Sequence, residues 1–151
     1  MISRFEQFAF AISSINRYIQ KLERTEMIQH GYKGSFAQYL VTLYRFDRGL
    51  TAMQLSELCD KDKAAISRAV TEMEEKGLVL RERVGSNVYR AKILLTEKGR
   101  DTAAFVCRRA QTAVEAVGNE LTDDERKVMY AALDRIMSRL HNVAKEGIPQ
   151  E

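Results

Sequence analysis

The sequence predicts a mainly α-helical protein with a small antiparallel pair of β-strands near its middle. Three observations support this fold class. First, Pro149 is the only proline among 151 residues, so long helices can run without interruption. Second, apolar residues recur every three or four positions near both ends of the chain, as on one face of a helix. Third, Gly77 separates a helical pattern from two short segments joined by the turn residues Gly85 and Ser86.

Composition limits the classes of protein that fit. A chain of 151 residues with 45% hydrophobic and 30% charged residues suits one globular domain. No apolar segment is long enough to span a membrane, and the N-terminus lacks the layout of a secretory signal, so we expect a cytoplasmic protein. The net charge is only +3, but residues 61–92 hold eight Lys or Arg against five Asp or Glu. This local excess is compatible with nucleic-acid binding and does not establish it.

The first helix is predicted to begin at Ser3 and to last roughly 25 residues. Ser3 and Glu6 have the spacing of a capping box, in which each side chain bonds the backbone of the other residue. Apolar residues such as Phe10 and Tyr18 widen the helix surface beyond a single stripe. We expect this surface to pack against a second copy of the chain, and burial within its own domain is the alternative.

A second helix is predicted to start after Ser35, which suits an N-cap, and to end near Arg48 and Gly49. Tyrosines lie on and beside this helix at Tyr32, Tyr39 and Tyr44. They are candidates for lining a pocket that binds a small-molecule effector. The alternative is core packing with one edge of each ring in water, which is common for tyrosine.

Two short helices are predicted between Thr51 and Gly77. Thr51 and Gln54 form a second capping box, and Asp62 suits the N-cap of the next helix. Gly77 is placed to end that helix in a left-handed conformation. A core stripe at helical spacing is expected from Ile66, Ala69, Val70 and Met73.

Another face of the helix after Asp62 carries small, hydroxyl-bearing and cationic residues, again at helical spacing. These residues are Ala64, Ser67, Arg68 and Thr71. Small side chains let a helix approach the floor of the DNA major groove, where Ser, Thr and Arg bond base edges or phosphates. An ordinary solvated helix face is the alternative interpretation.

A basic β-hairpin is predicted directly after this helix, from residues 78–84 and 88–95. Its cations are Arg81, Arg83, Arg90 and Lys92. Two helices followed by a basic hairpin form a winged-helix arrangement. The second helix then enters the major groove, and the hairpin reaches the DNA backbone or the minor groove.

Two long helices are predicted after the hairpin. Thr96 can cap a helix from about Glu97 to Gly118, and Thr122 with Glu125 forms a third capping box before the last helix. The last helix carries a heptad seam at Met129, Leu133, Ile136, Leu140 and Val143. We therefore expect a single domain over residues 1–151. About 1–30 and 97–146 would form a homodimer interface, and about 51–96 a DNA-binding lobe.

The chain resembles the multiple-antibiotic-resistance regulator (MarR) family. The resemblance is carried by the segments Leu55–Leu58, Ile66–Val70, Met73–Val79 and Leu95–Gly99. It covers nearly the whole chain, including its length and its long terminal helices. It implies a dimeric bacterial winged-helix transcription regulator, usually a repressor, with effectors bound between the dimer region and the DNA-binding lobe.

The wing tip departs from the pattern that the resemblance implies. The family commonly carries Asp-x-Arg near the tip, whereas residues 85–90 read Gly-Ser-Asn-Val-Tyr-Arg, with Asn87 near the Asp position. Arg83 and Arg90 are the preferred wing contacts, Arg81 is a third candidate, and the arginine that enters the minor groove stays open. The complete set of candidate residues for binding double-stranded DNA is Thr51, Lys61, Lys63, Ala64, Ser67, Arg68, Thr71, Arg81, Arg83, Asn87 and Arg90.

The sequence gives little support for disulfides, metal sites or cofactors. Cys59 and Cys107 are too few for a disulfide framework and are expected to be small buried hydrophobic residues. His30 and His141 lie near opposite ends of the chain, and a zinc site needs about four converging ligands. We expect no metal, no cofactor and no membrane contact.

No glycine-rich phosphate loop, Gly-x-Ser-x-Gly element or convergent acid–base pair is present in the sequence, so we expect no enzyme activity. The competing function is a winged-helix module that docks a protein and does not bind DNA. An apolar surface on the 64–71 face would favour that function, but the residues there are hydroxyl-bearing and cationic.

Overall fold

Helices dominate the structure, as the sequence predicts. The computed structural model describes residues 3–83, 85–86 and 90–148. Within them the order of elements is α1 Arg4–Gln29, α2 Phe36–Tyr44, β1 Leu50–Thr51, α3 Ala52–Cys59, α4 Lys63–Glu75, β2 Val79–Glu82, β3 Lys92–Leu95, α5 Glu97–Gly118 and α6 Asp123–Glu146. The chain forms two compact units, residues 1–114 and 115–151.

Side-chain caps fix the starts of most helices where the sequence places them. Complete capping boxes start α1, α3 and α6 at Ser3 with Glu6, Thr51 with Gln54, and Thr122 with Glu125. The Asp62 carboxylate accepts from the Ala65 backbone N–H at 2.8 Å and starts α4. Each cap satisfies an N–H group that has no partner within its own helix, so these boundaries depend on local chemistry.

Helix α2 starts after Ser35 as predicted, but the predicted side-chain cap and the predicted end near Arg48 and Gly49 are wrong. Ser35 has helical backbone angles, φ −63° and ψ −20°, and its side chain makes no capping hydrogen bond. The helix ends at Tyr44, four residues before Arg48, because the backbone N–H of Phe46 turns back to the Leu43 carbonyl. This early end lets the chain reverse and bring Leu50 to the sheet.

The sheet has three strands in the order β1-β3-β2, all antiparallel. The wing supplies β2 and β3, which are shorter than the predicted arms 78–84 and 88–95, since Arg83, Arg90 and Ala91 lie outside the strands and residues 84 and 88–89 outside the described residues. Strand β1 adds a strand that the sequence analysis did not predict. In β1, Leu50 pairs with Ile93 and Thr51 with Lys92. A strand of two residues is too short to show an alternating pattern, and Thr51 already had an explanation as a helix cap.

The core of the first unit surrounds α2. This helix buries Phe36, Ala37, Tyr39, Leu40, Val41 and Leu43, so nearly its whole circumference faces other elements. The predicted core stripe of α4 is confirmed, because Ile66, Val70 and Met73 are fully buried and Ala69 packs against the core. From α5, Ala103 and Val106 close the same core.

Apolar surface remains exposed on the long terminal helices. In α1 only Glu23 and Met27 are buried, whereas Phe5 is 75% and Phe10 72% exposed. In the second unit no residue of α6 is buried. Side chains exposed there include Val128, Met129, Tyr130, Met137 and Leu140. Many large apolar side chains exposed on one helix are typical of protein contact sites.

Gly99, in the first turn of α5, allows the backbone of the wing to approach closely. A Cβ at this position would lie 1.8 Å from the Leu78 carbonyl oxygen, a backbone atom that cannot move aside. We expect Gly99→Ala to lower the free energy of unfolding by at least about 2 kcal/mol, measured by urea denaturation.

Gly118 in the same helix provides the matched control. A Cβ there would meet its nearest atom, on the Arg126 side chain, at 3.7 Å. Gly118→Ala should be neutral or stabilise the protein by up to about 1 kcal/mol. Equal destabilisation by the two substitutions would contradict the close approach at Gly99.

Candidate nucleic-acid interface

The turn between α3 and α4 holds the two helices of the lobe in a fixed relation. Asp60 ends α3 in a left-handed conformation with φ 51° and ψ 52°, and the Ser56 hydroxyl donates to the Lys61 carbonyl. From α2, the Gln38 side chain donates to the Cys59 carbonyl at 2.8 Å. The end of α3 is therefore attached to the central helix of the core, and α4 starts from a supported position.

The exposed face of α4 carries the residues that the sequence analysis singled out. Burial of the Ile66 stripe turns Ala64, Ser67, Arg68 and Thr71 toward solvent, where all four are exposed. We call these four residues the reading face. Three compact side chains and one long cation give it a slim profile, so a duplex can approach the helix backbone closely.

Cations flank the start of α4. Lys61 and Lys63 are both exposed, one before and one after the capping residue Asp62. Thr51 is half-buried at the start of α3, and its hydroxyl accepts from the Gln54 N–H at 3.2 Å. The positive end of a helix dipole and nearby cations both favour phosphate groups.

The wing cations fall into two environments. Arg83 and Arg90 are exposed at the two ends of the described hairpin arms. Arg81, in contrast, forms an ion pair with Glu74 of α4 and donates from Nη2 to the Thr71 hydroxyl at 3.2 Å. Asn87, the remaining wing candidate, lies outside the described residues.

Contacts from neighbouring segments hold the far half of α4. Lys33, in the loop before α2, forms an ion pair with Glu72. The Lys98 ammonium donates to the Lys76 carbonyl at 2.9 Å, which satisfies an acceptor at the negative end of α4. Gly77 adopts φ +71° directly afterwards, as predicted, and the chain turns into β2.

A cavity of about 690 Å³ lies between α1, α2 and the end of α3. Its walls carry mostly polar groups, among them Glu23 and Arg24 of α1, Gln38 and Tyr39 of α2, and Lys61 of the turn before α4. The cavity thus borders both a terminal helix and the segment that starts α4. A volume of this size suits a small organic molecule.

The three candidate tyrosines lie in different surroundings. Tyr39 lines this cavity, and burial raises the pKa of its hydroxyl, which therefore stays protonated. Tyr32 lies beside Lys98, with 5.8 Å between the ammonium and the ring centre. Tyr44 lies under Arg100, with 5.9 Å between the guanidinium carbon and the ring centre. Neither Tyr32 nor Tyr44 lines the cavity that Tyr39 lines.

Both cysteines are free thiols that burial keeps protonated. Cys59 is buried as predicted, and Cys107 is only half-buried, which corrects the expectation of two fully buried residues. Burial raises the pKa of each thiol, and at Cys59 the hydrogen bond between the thiol and the Thr42 side chain opposes this rise. A protonated thiol is a weak nucleophile, so neither residue has the character of an oxidant sensor.

Within the described ranges, no three His, Cys, Asp or Glu side chains come together as possible metal ligands. No helix in the same part of the chain is long and apolar enough to cross a membrane.

The class of protein follows from this geometry: it is a winged helix-turn-helix protein with long terminal helices. Comparison with known proteins agrees. A model of the MarR family matches residues 30–87. A MarR transcriptional regulator from Methanosarcina mazei Go1 is 25% identical, with a TM-score of 0.77 over 91% of this chain and 99% of that one.

Two further structures share the fold. A MarR family regulator from Listeria monocytogenes, complexed with 26mer DNA, has a TM-score of 0.74 at 19% identity over 95% and 97% of the two chains. The MarR protein of Staphylococcus aureus, in complex with salicylate and kanamycin, has a TM-score of 0.71 at 17% identity over 95% and 93%.

The chain has the fold of the MarR family of winged helix-turn-helix transcription regulators, and its residues 30–87 match the model of that family. It is a DNA-binding transcription regulator of the helix-turn-helix type, and this class confirms the prediction that it is not an enzyme.

Burial of the Glu23 carboxyl, in the cavity wall, makes the stability of the protein depend on pH. Burial raises the pKa of its carboxyl above the ordinary value of 4.5, and the nearby Arg45 charge opposes that shift. The folded protein therefore holds this proton more tightly than the unfolded chain does. Stability must then fall as the pH rises from below 4.5 through the raised pKa.

Glu23→Gln removes the charge and should abolish this loss of stability. We expect the variant and the wild type to have similar urea midpoints at about pH 4, and the variant to be more stable at about pH 8. Denaturation curves across this range measure the difference. A wild type that is the more stable of the two at about pH 8 would show that Arg45 outweighs the cost of burial.

Proposed function

We propose that this protein is a repressor that binds a specific double-stranded DNA operator as a homodimer and is released by a small effector. The exposed reading face of α4 is the observation that carries the proposal. It combines small residues, two hydroxyls and one guanidinium on a helix whose opposite side is fixed in the core. The DNA bound by the similar Listeria protein supports the same interpretation.

In this proposal α4 lies in the major groove. Arg68 donates to O6 and N7 of a guanine, and Ser67 and Thr71 contact neighbouring base edges. Lys61, Lys63 and the α3 start at Thr51 lie against phosphates, which set the position of the helix without reading sequence. Arg83 and Arg90 follow the backbone or the minor groove beside the wing. A bound dimer represses by blocking polymerase at a promoter, in the cytoplasm.

The apolar surfaces of α1 and α6 support the homodimer. Phe5 and Phe10 on α1, and Val128 and Met137 on α6, would leave water if two copies paired through these helices. Two lobes related by a two-fold axis read a pseudo-palindrome with half-sites roughly one helical turn apart. Docking of a protein on the reading face is less well supported, because that face carries Ser67, Arg68 and Thr71 and no large apolar side chain.

The role of Arg68 is tested by Arg68→Ala. We expect binding to an operator selected from random duplexes to weaken by about 1–3 kcal/mol, and one base position per half-site to become less selective. Mobility-shift titrations against the operator and its single base-pair variants measure both effects. The selected operator should itself be pseudo-palindromic.

Arg108→Ala is the charge-matched control, since Arg108 is exposed on α5 and away from the reading face. It should bind every duplex as the wild type does. If Arg68→Ala also binds the operator with wild-type affinity, α4 does not read the major groove through this residue.

An effector acts only if it binds one arrangement of the lobes better than another. The cavity beside Tyr39 suits that task, because its walls join α1 and α2 to Asp60 and Lys61 in the turn that starts α4. A molecule lodged there would favour one position of α4 relative to the terminal helix. The salicylate in the similar S. aureus structure makes this compound a reasonable probe.

Tyr39→Phe removes one hydroxyl from the cavity and keeps the buried ring. We expect salicylate to bind this variant about 3- to 10-fold more weakly, as for the removal of one hydrogen bond, in isothermal titration calorimetry. Tyr32→Phe removes the same group outside the cavity and should bind as the wild type does. Equal effects of the two substitutions, or no binding to the wild type, would contradict an effector site for this compound beside Tyr39.

A further inference from the structure

Arg81 lies at the base of the wing, on the side of β2 that faces the core. Side chains alternate along a strand, so Arg81 points to the same side as Val79, which is buried. Across the ladder Arg81 pairs with Ile93 of β3, which is also buried. The Arg81 side chain therefore leaves the strand toward α4.

The guanidinium of Arg81 bridges two residues of α4. Its Nη1 forms an ion pair with the Glu74 carboxylate, and its Nη2 donates to the Thr71 hydroxyl oxygen at 3.2 Å. A planar guanidinium presents its donors in a fixed fork, so the carboxylate on one side fixes the direction of the bond on the other. The ion pair is about one-third exposed on each side, at 35% and 39%, and is partly shielded from solvent.

This contact determines what the Thr71 hydroxyl can do. A hydroxyl has one proton to donate and two lone pairs that accept. Because its oxygen accepts from Arg81, the proton points away from the guanidinium. Thr71 belongs to the reading face, so the hydroxyl meets a duplex as a donor. The major groove offers acceptors at guanine O6 and N7, adenine N7 and thymine O4.

We propose that Arg81 is a positioning residue for base recognition. It orients the Thr71 hydroxyl as a hydrogen-bond donor to one base edge, and it does not contact phosphate. This inference rests on the proposed function, and it changes the role expected for Arg81 from the sequence. Arg83, exposed just beyond the end of β2, keeps the role of a backbone contact.

Arg81→Lys separates the two roles, because lysine keeps the positive charge and the aliphatic stem but lacks the fork. A phosphate contact survives this change, since an ammonium binds phosphate as a point charge. The orientation of the Thr71 hydroxyl is lost, because a lysine has no fork to bridge Glu74 and Thr71. The same change at Arg108, Arg108→Lys, is the matched control, since Arg108 is exposed on α5 and is not among the proposed DNA contacts.

The experiment uses the full-length protein and the duplex that the wild type selects from a random pool. Dissociation constants are measured for that duplex and each single base-pair variant, with Arg81→Lys, Thr71→Val, the double variant and Arg108→Lys. We expect Arg81→Lys and Thr71→Val each to lower discrimination roughly fivefold at the same base pair, and the double variant to show no larger reduction. Arg108→Lys should discriminate as the wild type does.

The salt dependence of binding provides a second measurement. Arg81→Ala should leave the slope of log K against log salt nearly unchanged, whereas Arg83→Ala should reduce its magnitude by about 0.9 for each phosphate that the arginine no longer neutralises. Thermal denaturation of each variant identifies any loss of folding.

The inference is overturned if Arg81→Lys discriminates like the wild type at every base pair. Reduced discrimination at a base pair different from that of Thr71→Val, or a salt slope that falls for Arg81→Ala as it does for Arg83→Ala, would also overturn it. These outcomes leave the proposed function intact. A wild type that selects no duplex would instead reject the proposed function and this inference with it.

Discussion

The burial of Ile66, Val70 and Met73 is the constraint on which the site depends. A helix has about 3.6 residues per turn, so fixing one stripe in the core also fixes which residues point the other way. The reading face is exposed for this reason. Asp62 sets where α4 begins and Gly77 where it ends, and together they give the exposed face its length.

The central helix α2 connects this site with the rest of the first unit. Its buried residues pack around the core, while Gln38 bonds the end of α3 and Tyr39 lines the cavity. A displacement of α2 would therefore move the start of α4 and change the cavity together. Packed interiors shift between discrete arrangements and resist gradual deformation, so the two changes would occur together.

The sequence predicted those features that depend on neighbouring residues. The capping boxes at Ser3, Thr51 and Thr122 involve residues three positions apart, and the stripe of α4 follows from helix periodicity alone. Features that depend on distant segments were not predictable. Strand β1 exists only because Leu50 meets Ile93, and the Glu74–Arg81 pair depends on how the wing folds back on α4. Of the three candidate tyrosines, Tyr39 alone lines the cavity. This difference was not predictable either, because it depends on how the helices pack.

The two ion pairs on α4 have a consequence for its electrostatic potential. This helix carries Glu72, Glu74 and Glu75, a number of carboxylates that would repel the phosphates of a duplex. Lys33 and Arg81 lie against the first two and cancel much of their field at a distance. The protein thus supplies its own counter-ions to a helix that is acidic by composition. An approaching polyanion meets a surface close to neutral on that flank and positive at Arg68.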